Sequence, residues 1–378
     1  MTAPHRARRL VEALADRVRR MPMPMTAGAG PTPAAVLEAT RLTRAGRLTE
    51  AMSALQGAGS MPGTFPTMPS SFPTMPSPFP TMPSPFPTTA GARTDAPGRV
   101  SRGSFTGPAG TRSYRVVVPS QPQDRPALLV MLHGGTQDAD VFAAATGMDD
   151  LAEREGFVVV YPEQSRQANA MGYWNWFEPR HQGRDGEPSL IAGIVRTVAD
   201  EHGTDPQRVF VAGFSAGAAM AAVMGAAYPD LVAGVGVHSG LAAGSARDVG
   251  SAFAAMRTGA YRPASLRVPV VVVHGTDDGT VAPTNAGRVV ESALSDSPGC
   301  ARTEERGGGG SARHWSRERW TDRDGRVRAE SWTVHGTGHA WSGGRAGGSY
   351  TDPAGPDASA AMCMAFGLVS TNWGDSPS

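Results

Sequence analysis

VFVAGFSAGAAMA, residues 209–221, runs from an apolar, strand-like stretch through a Gly-x-Ser-x-Gly into a run of small helix formers. A serine placed there only to cap the helix would turn its oxygen back onto the backbone, and a glycine on each side would be a needless entropic cost. The pattern therefore predicts a sharp strand-to-helix turn that presents the side chain of Ser215 outward, with glycines that permit the strained backbone and close helix packing.

The same texture recurs on both sides of this stretch. YRVVVP (114–119), ALLVMLHGG (127–135), FVVVYPEQ (157–164), RVFVAG (208–213), VAGVGVHSG (232–240) and VPVVVVHGTDD (268–278) are short runs rich in Val and Leu. Helix-like stretches at 141–155, 189–202, 216–227 and 284–295 separate most of them. Near-continuous rather than alternating apolar strands imply a parallel sheet covered on both faces, hence a doubly wound α/β domain. HWSRERWTDRDGRVRAESWTVHGTGH (314–339) reads as a hairpin turning at Asp324–Gly325 and delivering a last strand.

The N-terminal third reads differently. AAVLEATRLTRAGRLTEAMSALQ (34–56) suggests two short amphipathic helices broken near Gly46, a small helical arm. After it, Phe65, Phe72, Phe79 and Phe86 recur every seven residues among dense prolines. Prolines at this density forbid a helix, so the heptad spacing is no coiled coil and the segment is expected to be an extended or disordered linker. The expected organisation is thus an arm over 1–57, a Pro/Phe-rich linker over 58–102 and one α/β domain over 103–370.

Composition excludes several classes. A hydrophobic share of 40% with 18% charged residues fits a globular core, and a net charge of +1 gives no basic face for nucleic acid. Every basic residue other than histidine is arginine, which rules out a lysine Schiff base and the lysine of a phosphate-binding P-loop. Cys300 and Cys363 lie in no metal-spaced cluster and are expected to be unbridged. No apolar run reaches 18 residues, so no transmembrane segment is expected, and the arginine-rich start is followed by prolines rather than by the apolar core of a secretory signal.

In an open α/β sheet, functional groups gather where strands end at the carboxyl edge. Four such ends carry reactive residues: HGGT after 127–132, Ser215 after 208–213, Asp277 and Asp278 after 268–273, and His339 in GTGHAW after the last strand. A serine hydroxyl needs a base within hydrogen-bond reach, and the base needs its other nitrogen held. Ser215 is the candidate nucleophile, His339 the base, and Asp278, with Asp277 as the alternative, the group that orients it. The N–H groups of Ala216 and Gly135 are candidates for holding the oxyanion. His335 and His339 also stand four apart, but the glycines between them disfavour a helical face and no third ligand follows, so no metal is expected. GYWNWFEP (172–179) places Trp174, Asn175 and Trp176 near the same edge, and Trp341 lies two residues past His339. These tryptophans either shield the core and the triad or line an apolar cleft for an acyl chain.

The stretches GSFTGPAGTRSYRVVVPS, LHGGTQDADVFAAATGMDDLAEREGFVVVYPEQ, NWFEP, DPQRVFVAGFSAGAAMA, VPVVVVHGTDDGTVAPTN and GTGHAWSGG together resemble the polyhydroxybutyrate depolymerase family of esterases, whose relatives include feruloyl and acetylxylan esterases. The resemblance spans roughly residues 103–368. It implies an α/β-hydrolase fold, hydrolysis of carboxylic esters without a cofactor, and Ser215, Asp278 and His339 as nucleophile, acid and base. Members often carry cysteines where this chain has Gly135 and Tyr173. The resemblance also implies export, whereas the missing signal favours the cytoplasm. Two further readings accompany the esterase: an acyltransferase on the same triad, and a polymer-granule binding module built from residues 1–100.

Overall fold

A computed structural model describes residues 99–259 and 263–369. The expected arm and most of the linker lie outside the described residues. The first described residues, Arg99–Gly107, form a strand that pairs along its whole length with the next one.

Ten strands form one sheet among the described residues: β1 (Arg99–Gly107), β2 (Gly110–Val118), β3 (Leu128–Leu132), β4 (Val158–Pro162), β5 (Val209–Phe214), β6 (Gly234–His238), β7 (Val270–Gly275), β8 (Ala301–Gly309), β9 (Ala312–Thr321) and β10 (Val327–Val334). Their order is β1-β2-β4-β3-β5-β6-β7-β10-β9-β8. The six strands from β4 to β10 run parallel, and an antiparallel hairpin closes each edge. The centre is therefore the parallel sheet expected from the Val-rich runs. The Asp324–Gly325 turn joins β9 to β10, with Gly325 at φ 79°.

Helices α1 (Ala139–Thr146), α2 (Met148–Glu155), α3 (Gly186–His202), α4 (Ala216–Ala227), α5 (Val249–Thr258), α6 (Thr284–Leu294) and α7 (Ala358–Ala365) cover the sheet. Strand side chains alternate between two cores. Leu128, Val130 and Leu132 face a layer containing Ile191, Met220 and Val289, while Leu129 and Met131 face Phe142, Met148 and Met362. With helices on both faces, each central strand is buried along its length, which is why its sequence shows no period-2 alternation.

One expected helix is corrected. The stretch 141–155 is two helices, because Gly147 at φ 64° closes α1 with its N–H on the Ala143 carbonyl and is at the same time the N-cap of α2. Among the strands and helices just named, β1, β8, α5 and α7 had no counterpart in the sequence reading. Both cysteines are free, Cys300 half-buried and Cys363 buried. Among the described residues no helix is long and apolar enough to cross a membrane.

Candidate active site

The turn after β5 is as tight as the sequence requires. A Cβ on Gly217 would lie 2.1 Å from the Leu132 carbonyl oxygen, and one on Gly213 would lie 2.5 Å from the Gly217 carbonyl carbon. Backbone cannot yield as a flexible side chain can, so only glycine lets α4 pack this close to β3 and β5. Between them Ser215 sits at φ 54°, ψ −117°, in a region few non-glycine residues occupy. Its N–H donates to the His238 carbonyl at 2.9 Å, and its side chain makes no capping bond to α4. The hydroxyl is free for another partner.

That partner is His339. Its Nε2 lies 2.9 Å from Ser215 Oγ and its Nδ1 lies 2.8 Å from Asp278 Oδ2. Since a carboxylate can only accept, Nδ1 carries the proton and Nε2 faces the hydroxyl as an acceptor. Three residues from three separate strand ends thus form one hydrogen-bonded line. Asp277, the alternative orienting group, is exposed and accepts from its neighbour Thr276, whereas Asp278 is 4% exposed. His335 is likewise exposed, away from this line.

Asp278 is held from several directions. Its Oδ1 accepts from the N–H groups of Thr280 and Val281 at 2.9 and 2.8 Å, and His274 Nε2 lies 3.3 Å from Oδ2. Burial opposes its charge, but the hydrogen bonds from His274, His339 and the backbone outweigh burial and hold the carboxyl well below the usual carboxylate range. His274, 2% exposed, also contacts the Val281 carbonyl at 2.9 Å. His238 ties two parts of the site together. Its carbonyl holds Ser215 and its Nε2 accepts from the N–H of Ser342 at 2.9 Å, three residues past His339. Burial, followed by the charges of His274 and His339, pushes this imidazole well below the usual histidine range and keeps it neutral. Neither histidine's part was visible in the sequence, although each closes an apolar strand at the same edge as Ser215 and Asp278.

Gly135 lies beside the line, and a Cβ on it would fall 2.0 Å from Tyr173 Cε1. The two positions where relatives often carry cysteines are therefore in contact here through a glycine and an aromatic ring. Among the described residues no protein acceptor takes the N–H of Gly135 or of Ala216.

A cavity of about 480 Å³ opens over Ser215 and His339 and is lined chiefly by Tyr173, Trp176, Phe177, Phe214, Phe253, Met256 and Tyr350. Of the four residues expected near the cleft, Trp176 is among those that line it. The other three lie behind it. Trp174 is fully buried and donates to the His133 carbonyl, fixing the HGG turn from beneath. Asn175 is bonded through its N–H and its side chain to the buried carboxylate of Glu187. Trp341 stacks on His238 at 4.7 Å and donates to Ser359. A tryptophan is amphipathic, so sequence position alone does not tell lining from shielding. The wall that sequence reading missed is α5, whose apolar residues recur at 249, 252, 253 and 256 behind an Asp248–Ser251 capping box.

Comparison with known proteins agrees with this architecture. Poly(3-hydroxyalkanoate) depolymerase C of Paucimonas lemoignei is 36% identical over 202 residues, 49% of this chain and 48% of that protein. A probable acetylxylan esterase A of Aspergillus fumigatus is 32% identical over 157 residues, 40% of this chain and 42% of that protein. The chain thus matches under half the length of these curated relatives. Among solved structures, the acetyl xylan esterase from Aspergillus awamori superposes with a TM-score of 0.57 at 20% identity, covering 72% of this chain and 100% of that one, a likeness of fold. The sheet order and its helical layers are those of an α/β-hydrolase. The family model described as Esterase PHB depolymerase matches residues 112–306, just over half of the chain, and the chain belongs to that family.

Proposed function

We propose that this protein is a serine esterase that cleaves carboxylic esters, short-chain polyhydroxyalkanoate first among them, through an acyl-serine intermediate. The observation that carries the reading is the unbroken line Asp278–His339–Ser215 at the floor of an apolar cleft. In this reading His339 Nε2 takes the Ser215 proton as Oγ attacks the ester carbonyl carbon. Asp278 holds the imidazole in the required tautomer and offsets its positive charge. The N–H groups of Gly135 and Ala216 receive the oxyanion; a donor of this kind is worth about a hundredfold to a thousandfold in turnover. His339 then protonates the departing alkoxide as the carbonyl–oxygen bond breaks. Water, deprotonated by the same nitrogen, releases the acid and restores Ser215.

No cofactor enters this chemistry. The large apolar wall favours an acyl or hydroxyacyl chain over a bare acetyl group, and the curated relatives, named as a polyhydroxyalkanoate depolymerase and an acetylxylan esterase, support both polyester and small-ester substrates. The expected organisation, a catalytic domain preceded by an arm and linker, remains part of the proposal. The test is release of hydroxybutyrate from amorphous polyhydroxybutyrate by the wild type and by Ser215→Ala, with a short nitrophenyl ester and methyl ferulate in parallel. Serine-dependent release from the polymer is the expected result. Serine-dependent cleavage of only the small esters would remove the polymer, and undiminished activity in a folded Ser215→Ala protein would remove the serine esterase. Added alcohol separates hydrolase from acyltransferase by whether a new ester forms.

A further inference from the structure

The cleft over Ser215 has a polarity that the reaction alone does not require. Helix α5 contributes Val249, Ala252, Phe253 and Met256, and Arg257, four positions after Phe253, borders the same face one turn on. Among the described residues that line the cavity, Arg257 carries the one permanently charged side chain, and none of them is a carboxylate. It is exposed and makes no ion pair or hydrogen bond among the described residues. Its place in the last turn of α5 puts a cation at the negative end of the helix dipole, which stabilises it there without an acidic partner. A groove with apolar walls, a reactive serine on its floor and an unneutralised guanidinium on its rim is complementary to an apolar ester that carries a carboxylate at one end.

We propose that Arg257 binds the free carboxylate of its substrate, so that the preferred substrates are soluble oligoesters of hydroxyacids with an ionised carboxyl terminus. The inference rests on the esterase reading above and specifies its substrate class. A long polyester bears one such carboxylate per chain, whereas every dimer or trimer bears one within a cavity's length of the scissile bond. The guanidinium can meet it with two parallel N–H donors. No new covalent step is involved; the carboxylate fixes which ester bond lies over Ser215. A monoester of a dicarboxylic acid offers the same group from the acyl side.

The experiment compares kcat/KM within two charged and neutral pairs. The 3-hydroxybutyrate dimer against its terminal amide places the charge on the alcohol side, and monoethyl succinate against ethyl succinamate places it on the acyl side. The wild type is expected to favour the acid of one pair. In Arg257→Gln that preference falls about fivefold, mainly through KM, as suits an exposed charge pair. Arg257→Lys keeps much of it, and raising salt to about 0.5 M shrinks it in the wild type. The dimer pair is the one expected to respond; a response of the succinate pair alone overturns the hydroxyacid oligoester as the substrate class. An acid-to-neutral ratio unchanged by Arg257→Gln and by salt in both pairs overturns the subsite while leaving the esterase in place. Absence of Ser215-dependent turnover on all four esters overturns the esterase reading and the subsite with it.

Discussion

At the scale of single residues, the site turns on which aspartate serves His339. Asp277 and Asp278 are indistinguishable as letters, and the difference between them is burial and reach. Asp278→Asn is expected to lower kcat by roughly 10⁴-fold, because an amide no longer enforces the tautomer that presents Nε2 to serine. Asp277→Asn is expected to leave ester turnover close to wild type in the same assay. The depressed carboxyl also makes a prediction about stability. A group whose folded-state value lies below its unfolded value of about 3.9 stabilises the fold above that pH and ceases to do so as pH falls through the folded value. The stability gap between wild type and Asp278→Asn, from urea midpoints, should therefore be constant above about pH 5 and begin to narrow below about pH 4. A gap that widens on acidification would contradict this arrangement.

At the scale of elements, the two glycines of the turn do structural work that Ser215 depends on. Gly217→Ala places a methyl against the Leu132 carbonyl and is expected to cost about 1–3 kcal/mol. For a domain of this size that lowers the thermal midpoint by roughly 2–4 °C per kcal/mol, with loss of turnover as Ser215 moves from His339. An unchanged midpoint with full activity would contradict the close packing. The six central strands and the helix after Ser215 were legible in sequence because buried parallel strands and a Gly-x-Ser-x-Gly turn both leave strong local signals. The reactive strand ends followed from them. β8 left none: ARTEERGGG is mostly exposed and polar and joins the sheet through its backbone alone. α5 is short and alanine-rich, so its apolar stripe reads as composition rather than as a period, and with it went the main wall of the cleft. Gly147 reads equally well inside a helix or between two, and only its φ decides.

At the scale of the whole molecule, the two free thiols report on the fold. Cys363 sits in the core layer beside Met148, and burial pushes its thiol far above the usual value, so the thiolate needed for reaction does not form in the native state. A thiol reagent at neutral pH is expected to modify Cys300 alone in the native protein and Cys363 only on global unfolding, by peptide mass mapping. Rapid native labelling of Cys363 would place α7 differently. A chain starting at Arg99 is expected to keep the kcat/KM of the full chain on a soluble ester, since the edge strand β1 completes the sheet from that residue. The claim on which all scales converge is that Ser215 carries the acyl group during turnover. It is tested most directly by mixing the full chain with excess nitrophenyl butyrate, quenching in acid within the first turnover, and weighing the intact protein and its peptides. One butyryl group per chain is expected, on Ser215, absent in Ser215→Ala. Turnover without any acylated protein, or an acyl group on another residue, would contradict it.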